Sequence, residues 1–316
     1  MFKRFLAGAA TALVLLAHPA LSQDAYPVKV VKLVTHSSPG SGSDIFLRNM
    51  SKYLGPIMGV TFVVENISGS GGAKAIAALA QSPADGSIFY ATTPTYIFTS
   101  LLSSPQYTYK DVEPLVNVFT DQEVIFTRTD GPFQSLEDVI KSAKESRGKW
   151  GASTPGSLER QSLERLKKAA DVKAAIVTHD GGGDLLIDVL NGTVDIGVGE
   201  YGELKPQLDG GKVRVLAVFA ADRLKEAPSI PTVKETGYDV VVRKFRGLAG
   251  PKGLPDNVIK AWEDGIQKVL ADPDYTKQYS GDVLTPDYIS HEQYVNFINQ
   301  FGEDTAAFFK ETGVTK

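Results

Sequence analysis

Val34-Thr-His-Ser-Ser-Pro-Gly-Ser-Gly-Ser-Asp44 is the stretch on which the fold turns. Apolar Val30, Val31, Leu33 and Val34 lead into it as a buried strand would. Ile45-Phe46-Leu47-Arg48-Asn49-Met50 leaves it with a helical pattern. The stretch is therefore a strand-to-helix turn built of small hydroxyl residues and glycine. Its backbone N–H groups and hydroxyls converge at a helix N-terminus, where unpaired donors and the helix dipole favour an anion. A connection of this kind also needs small residues for its geometry alone. Asp44 reads as the helix N-cap, fixing the loop rather than touching ligand.

Outward from this turn the chain alternates strand and helix. Strand 29–34 and helix 44–54 are followed by strand 61–64, a second glycine-serine turn at 65–72, and an alanine-rich helix at 73–81. Strand 87–91 ends in a third polar turn, Thr92-Thr-Pro-Thr-Tyr96. Three strand–turn–helix units in succession predict a parallel sheet covered by helices. Two extended runs within 114–129 read as a crossing into a second lobe. There the organisation repeats: helix 135–146 with Ser135 as N-cap, strand 150–153, turn 154–157, helix 158–170, strand 174–177, the turn Thr178-His-Asp-Gly-Gly-Gly-Asp184, helix 184–190, strand 194–198, helix 203–208 and strand 213–219. Residues 240–251 read as the return crossing, and helices 256–271 and 292–312 close the chain. The expected fold class is α/β, with two Rossmann-like lobes. Ligands of open α/β sheets bind beyond the carboxyl ends of the strands, so turns of this kind in both lobes would face one cleft.

Composition sets the address and removes function classes. At 316 residues, 42% hydrophobic and 22% charged, the chain is globular and long enough for two medium domains. Residues 1–22 have the form of a secretory signal peptide: Lys3 and Arg4, an apolar run from Phe5 to Ala17, and Ala20-Leu21-Ser22 before Gln23. The run is shorter than the ~20 residues that span a bilayer. Its removal leaves 31 basic against 37 acidic residues, a net charge of −6. No basic footprint for nucleic acid exists. The absence of cysteine excludes disulfides, thiolate metal sites and a cysteine nucleophile. The expected location is a bacterial periplasm.

Enzyme signatures are missing. No G-x-S-x-G is present, Gly40-Ser-Gly42 fails the dinucleotide fingerprint at Ile45, Gly211-Lys212 is followed by valine, and His291-Glu292 lacks the second histidine of a zinc helix. His36 and His179 stand in turns of opposite lobes. Each is expected to be packed and hydrogen-bonded, and a metal site from them lacks clustered carboxylates. Asp180 and Glu200 lie at strand ends of the second lobe, where they would disfavour an anion or accept a cation. Arg246, on the return crossing, is the cation expected to meet a ligand carboxylate.

In this order and spacing the turns resemble the periplasmic receptors of tripartite tricarboxylate transporters, the Bug-type proteins. The resemblance is carried by Ser-Pro-Gly-Ser-Gly-Ser-Asp44, Val64-Glu-Asn-Ile-Ser-Gly-Ser-Gly-Gly72, Ala84-Asp-Gly86, Gly151-Ala-Ser-Thr-Pro-Gly-Ser157, Gly181-Gly-Gly-Asp184 with Leu190-Asn-Gly-Thr-Val-Asp195, Gly211 to Val218, Ile230 to Gly237, and Gly247-Leu-Ala-Gly-Pro251. It implies a periplasmic-binding-protein flytrap, type II-like, with a hinge of crossing strands. It implies lobe I from 23–121 plus 246–316 and lobe II from 122–245. The implied function is capture of a small organic carboxylate, a di- or tricarboxylate or an aromatic carboxylate, without catalysis or cofactor. Delivery would be by a monomer to membrane permease subunits.

Carried onto this chain, ligand contacts would come from Ser37, Ser38, Gly40, Ser41, Thr92, Thr93 and Thr95 in the first lobe. Ser153, Thr154, Gly156, Ser157, Gly181 and Gly182 would contribute from the second. His179, Asp180, Glu200 and Arg246 complete the candidate set, with no metal ligands. His179 and Asp180 stand where the family commonly has an aromatic and a basic residue. An acid there opens a second expectation, an amine-bearing or zwitterionic ligand held by Asp180 or Glu200. A periplasmic hydrolase or isomerase using the histidines is the competing class.

Overall fold

The computed structural model describes residues 26–311 and 314–315. The expected signal peptide at 1–22 lies outside them. The first lobe is a six-stranded sheet. Its strands are β1 (Val30–Thr35), β2 (Thr61–Asn66), β3 (Ile88–Thr92), β4 (Val112–Asp121), β10 (Lys244–Pro251) and β11 (Thr285–Ile289), in the order β11-β4-β10-β3-β1-β2. The second lobe is a five-stranded sheet of β5 (Glu123–Arg128), β6 (Lys149–Ala152), β7 (Ala175–Thr178), β8 (Ile196–Glu200) and β9 (Val213–Val218), in the order β7-β6-β8-β5-β9.

Neither sheet is wholly parallel, as the strand–helix alternation alone would predict. β10 runs antiparallel to β3 and β4, and β5 runs antiparallel to β8 and β9. These are the strands of the crossings. β4 ends the first sheet at Asp121 and β5 opens the second at Glu123, with only Gln122 between them. β5 thus passes straight into the second sheet, where it lies between β8 and β9 and pairs antiparallel with both.

The first turn delivers its helix earlier than its polarity suggests. α1 runs Gly42–Met58, with Ser41 extended at the N-cap (φ −78°, ψ 162°) and Gly59 left-handed at the C-terminus (φ 67°). Asp44 is therefore not the N-cap. It is the third helical residue, and its carboxylate reaches back to accept the Gly40 N–H at 3.0 Å. In the third polar turn α3 (Pro94–Ser103) begins at once, because Pro94 sits at the first helical position, where a missing N–H costs nothing.

α2 (Ala73–Ala80) covers the first sheet. α4 (Leu136–Glu145), α5 (Leu158–Ala170), α6 (Gly182–Leu190) and α7 (Tyr201–Asp209) belong to the second lobe. Ser135 accepts the Asp138 N–H at 3.2 Å, the expected cap of α4. The chain closes with α8 (Asp256–Leu270), α9 (Pro273–Gly281), β11 and α10 (His291–Glu311). α9 and β11 are additions to the two expected terminal helices. Asp272 caps α9 by accepting the Asp274 and Tyr275 N–H groups at 2.9 Å. The second lobe's core takes in Phe98 from α3 and Phe309 from α10, 5.6 Å apart between ring centroids, so apolar packing also ties the lobes.

Candidate functional site

The glycine-serine turns of the two lobes lie against each other. A Cβ on Gly181 would come within 2.6 Å of the Ser38 backbone nitrogen. One on Gly156 would come within 3.2 Å of Thr99 Cα. Across the same seam the Leu158 N–H at the start of α5 donates to Thr95 Oγ1 at 3.4 Å. Only residues without side chains permit this approach, and the molecule is closed.

What closure leaves at the centre is a cavity of about 10 Å³. Ser37, Ser41, Thr93, Thr95 and Ser153 line it with hydroxyls, and Glu200 lines it with a carboxylate. With Gly182, these make seven of the sequence-predicted residues brought together, alongside His36, Gly42, Ser43, Glu159, Glu203 and Lys244. A space of that size admits about one water, so an organic ligand enters only when the lobes part.

Behind the cavity lies a dense charge cluster. Five acids, Asp121, Glu123, Glu159, Glu200 and Glu203, share it with Lys244 and Arg246, and none is more than 6% exposed. The Lys244 ammonium lies 2.6 Å from Glu159, 3.6 Å from Glu123 and in contact with Glu200. Arg246 donates to Asp121 through Nε at 3.0 Å and through Nη2, to Ser43 Oγ at 3.0 Å and to Glu200 at 3.3 Å. Its guanidinium is thus spent within the protein. The ligand contact expected of it would require those bonds to break.

Burial opposes every charge here, and position decides the outcome. For Glu200, Lys244 and Arg246 outweigh desolvation and hold the carboxyl down at about 2. Burial pushes Glu123 up to about 8, with Glu159 adding to it. Burial, then Glu200, pushes Glu203 well above the carboxylate range. Glu159, Glu200 and Glu123 keep Lys244 charged against its own desolvation. Two cations cannot neutralise five carboxylates, and the acids farthest from compensation are the ones that retain protons.

The remaining predicted residues lie elsewhere. Thr154, Gly156, His179 and Asp180 line a second, open groove of about 810 Å³ between the lobes, with Ser70, Gly71 and Thr99 opposite. Thr92 is buried and shares a hydrogen bond with the Tyr294 hydroxyl at 2.7 Å. Ser157 caps α5 by accepting the Arg160 N–H at 3.1 Å. Gly40 is exposed in a left-handed turn (φ 81°). Ser38 and Gly181 form the seam itself.

Both histidines are pinned. His36 Nδ1 lies 2.5 Å from the Tyr90 hydroxyl, and burial lowers its pKa to about 4. His179 is held by the Ala152 carbonyl at 2.9 Å and by Asp188 at 3.0 Å. One lines the inner cavity and the other the outer groove. Among the described residues no group of three histidines or acids is placed to hold a metal ion. No described helix is long and apolar enough to cross a membrane.

Residues 46–314 match the model of the tripartite tricarboxylate transporter family receptor. The chain belongs to that family. A UPF0065 protein encoded in the gbd 5′ region of Cupriavidus necator is 26% identical over 98% of this chain and 96% of its own length. The periplasmic binding protein BugD superposes with a TM-score of 0.86 at 25% identity, covering 92% of this chain and all of that one. An R. palustris protein solved with adipate shares the fold, with a TM-score of 0.82 at 24% identity over 90% of this chain and 96% of its own. The two-lobe flytrap and the Bug-type resemblance expected from the turns are thereby shown.

Sequence reading missed Glu123, Glu159, Glu203 and Lys244. A signal existed for some of them. Lys244-Phe245-Arg246 places two cations on one face of an otherwise apolar strand, and Asp121-Gln122-Glu123 places two acids at the same spacing. Charges in strands that must be buried demand partners.

Proposed function

We propose that this receptor captures a small organic carboxylate between its lobes in the periplasm and delivers it, as a monomer, to the permease subunits of a tripartite transporter. The observation that supports this most is the inner cavity. Hydroxyls from both lobes converge there beside the first residue of α1, and the space is too small for a solute unless the lobes separate. Ligand then favours closure by contacting both lobes at once, which shifts a population from open to shut. The bodies that move are 23–121 with 246–316 and 122–245, hinged at Gln122 and at the return into β10. Serine and threonine hydroxyls and backbone amides bind a carboxylate without a charged side chain. The protein acts by binding alone: His36 and His179 face different spaces and are each held by fixed partners.

The test is thermal unfolding of protein freed of co-purified ligand, against a panel of mono-, di- and tricarboxylates, aromatic acids and amino acids. A ligand at 100 times its Kd stabilises by about 2.7 kcal/mol. A panel in which no member raises the Tm would sink this proposal.

A further inference from the structure

The helix terminus that the first turn prepares is already in use. The Gly42 N–H, at the start of α1, donates at 2.8 Å to Glu203 Oε2 from α7 of the opposite lobe. The other Glu203 oxygen accepts the Glu200 N–H at 3.2 Å. Glycines make the room. A Cβ on Gly182 or Gly199 would run into the Glu203 carboxyl, and one on Gly42 would come within 2.8 Å of the Glu200 carboxyl. A side-chain carboxyl thus sits, in a fitted cradle and across the lobe seam, where an anion was expected from outside.

Its neighbours strengthen the point. The inner cavity is lined by Glu159 and Glu200 as well as Glu203. Lys244 is the one lysine or arginine lining it, and its ammonium already contacts Glu159 and Glu200. A ligand carboxylate brought to the Gly42 amide would find that donor taken by the Glu203 carboxyl, and would meet the Glu159 and Glu200 carboxylates in a small, dehydrated space where like charges are least screened. A hydrogen-bond donor brought there would meet acceptors. Ser41 and Ser153 already donate their hydroxyls to the Ser38 carbonyl and to Glu159, and the hydroxyls of Ser37, Thr93 and Thr95 remain to donate to one carboxylate.

We propose that Glu203 occupies the place of a ligand's second carboxylate and so determines specificity. The receptor takes a monocarboxylate whose other end bears a donor, an amine, amide or hydroxyl, in preference to a di- or tricarboxylate. This rests on the carboxylate-receptor function proposed above. Glu203 is part of the closed state, so it also discriminates at the step that matters for capture, when the lobes meet. Discrimination of this kind is built by filling the position the wrong ligand would need as well as placing attractive groups for the right one.

The experiment is calorimetric titration of the full protein with three matched series of three to six carbons: alkanoates, their amino- or hydroxy-substituted analogues, and dicarboxylates. We expect the tightest member to be an amino- or hydroxy-monocarboxylate, at least tenfold tighter than the dicarboxylate of equal length. In Glu203→Ala, which vacates the position, that ratio should fall at least threefold. A native protein that binds the dicarboxylate as tightly as its analogue overturns this inference and leaves the receptor function standing. So does an unchanged ratio in Glu203→Ala. If Glu203→Ala does not fold by circular dichroism, the native ratio alone decides. Failure of every series to bind overturns both proposals.

Discussion

The inner cavity and the outer groove lie between the same two lobes and are built by the same kinds of turn, yet they are physically opposite. The inner one is narrow, about 10 Å³, and backed by seven buried ionisable side chains. The outer one is open, about 810 Å³, with Asp180 exposed and Thr154 and Gly156 in its wall. Serine, threonine and glycine behave alike at both. What differs is whether charged side chains from elsewhere in the chain stand behind them. Stability should therefore be concentrated in the inner region and nearly absent from the outer.

The largest effect that would break this contrast is the loss of the central cation. Lys244→Met leaves Glu123, Glu159 and Glu200 short of a counter-charge, and removing one partner of a buried ionic group costs about 3–5 kcal/mol. Urea unfolding at pH 7 measures it. A loss below about 1 kcal/mol would put the inner region on the same footing as a surface ion pair.

Next comes pH. His36 has its folded pKa lowered to about 4 by burial, so the unfolded chain binds its proton first. Its stabilising contribution is complete above 6.5 and is lost as pH falls towards 4, a loss of about 3 kcal/mol. Glu123 runs the other way. Its folded pKa is raised to about 8, so its contribution is present below 4.5 and is lost as pH rises towards 8. Both act between 4.5 and 6.5 and partly cancel. Stability profiles of the native protein and of Glu123→Gln separate them. The variant should lose the Glu123 share of the alkaline decline, leaving the share of Glu203, with the acid limb unchanged, and superimposable profiles would refute the assignment.

A smaller effect sharpens the seam between the two regions. Gly181→Ala drives a Cβ to within 2.6 Å of the Ser38 backbone, and overpacking of this kind costs about 1–3 kcal/mol. The strain belongs to closure and not to either lobe. We expect a larger radius of gyration by small-angle X-ray scattering with unchanged far-ultraviolet circular dichroism. An unchanged radius would mean that the turns do not set the approach of the lobes. Smallest of all, Asp180→Asn in the outer groove should leave stability within about 0.5 kcal/mol, measured by the same urea titration.

Much of the fold was legible because it depends on local rules. Apolar runs ending in glycine-serine turns specify strand–turn–helix units, and Ser135 with Asp138 specifies a helix start wherever it lies. Antiparallel β5 and β10 were not legible, since strand direction follows from which sheet receives the strand. Asp44 was misplaced by three residues because serine and aspartate are equally favoured N-caps, and the Ser41 hydroxyl turns back to the Ser38 carbonyl instead of capping α1. Of the candidate site, Ser37, Ser41, Thr93, Thr95 and Ser153 line one cavity. Thr92 and Ser157, identical in type, turned to Tyr294 and to the α5 backbone.

The sequence by itself determined the two α/β lobes, their glycine-serine turns and the family to which the chain belongs, because each is written in short stretches whose backbone preferences need no distant partner. Only the tertiary structure decided what those turns face. Gly42 and Glu203 are 161 residues apart, and Lys244 and Glu159 are 85 apart. A hydrogen bond or an ion pair between such residues depends on lobes docking, not on any pattern of neighbours. That is why the first turn could be read as an anion site from its residues alone, while the carboxyl that fills it could be found only in the folded chain.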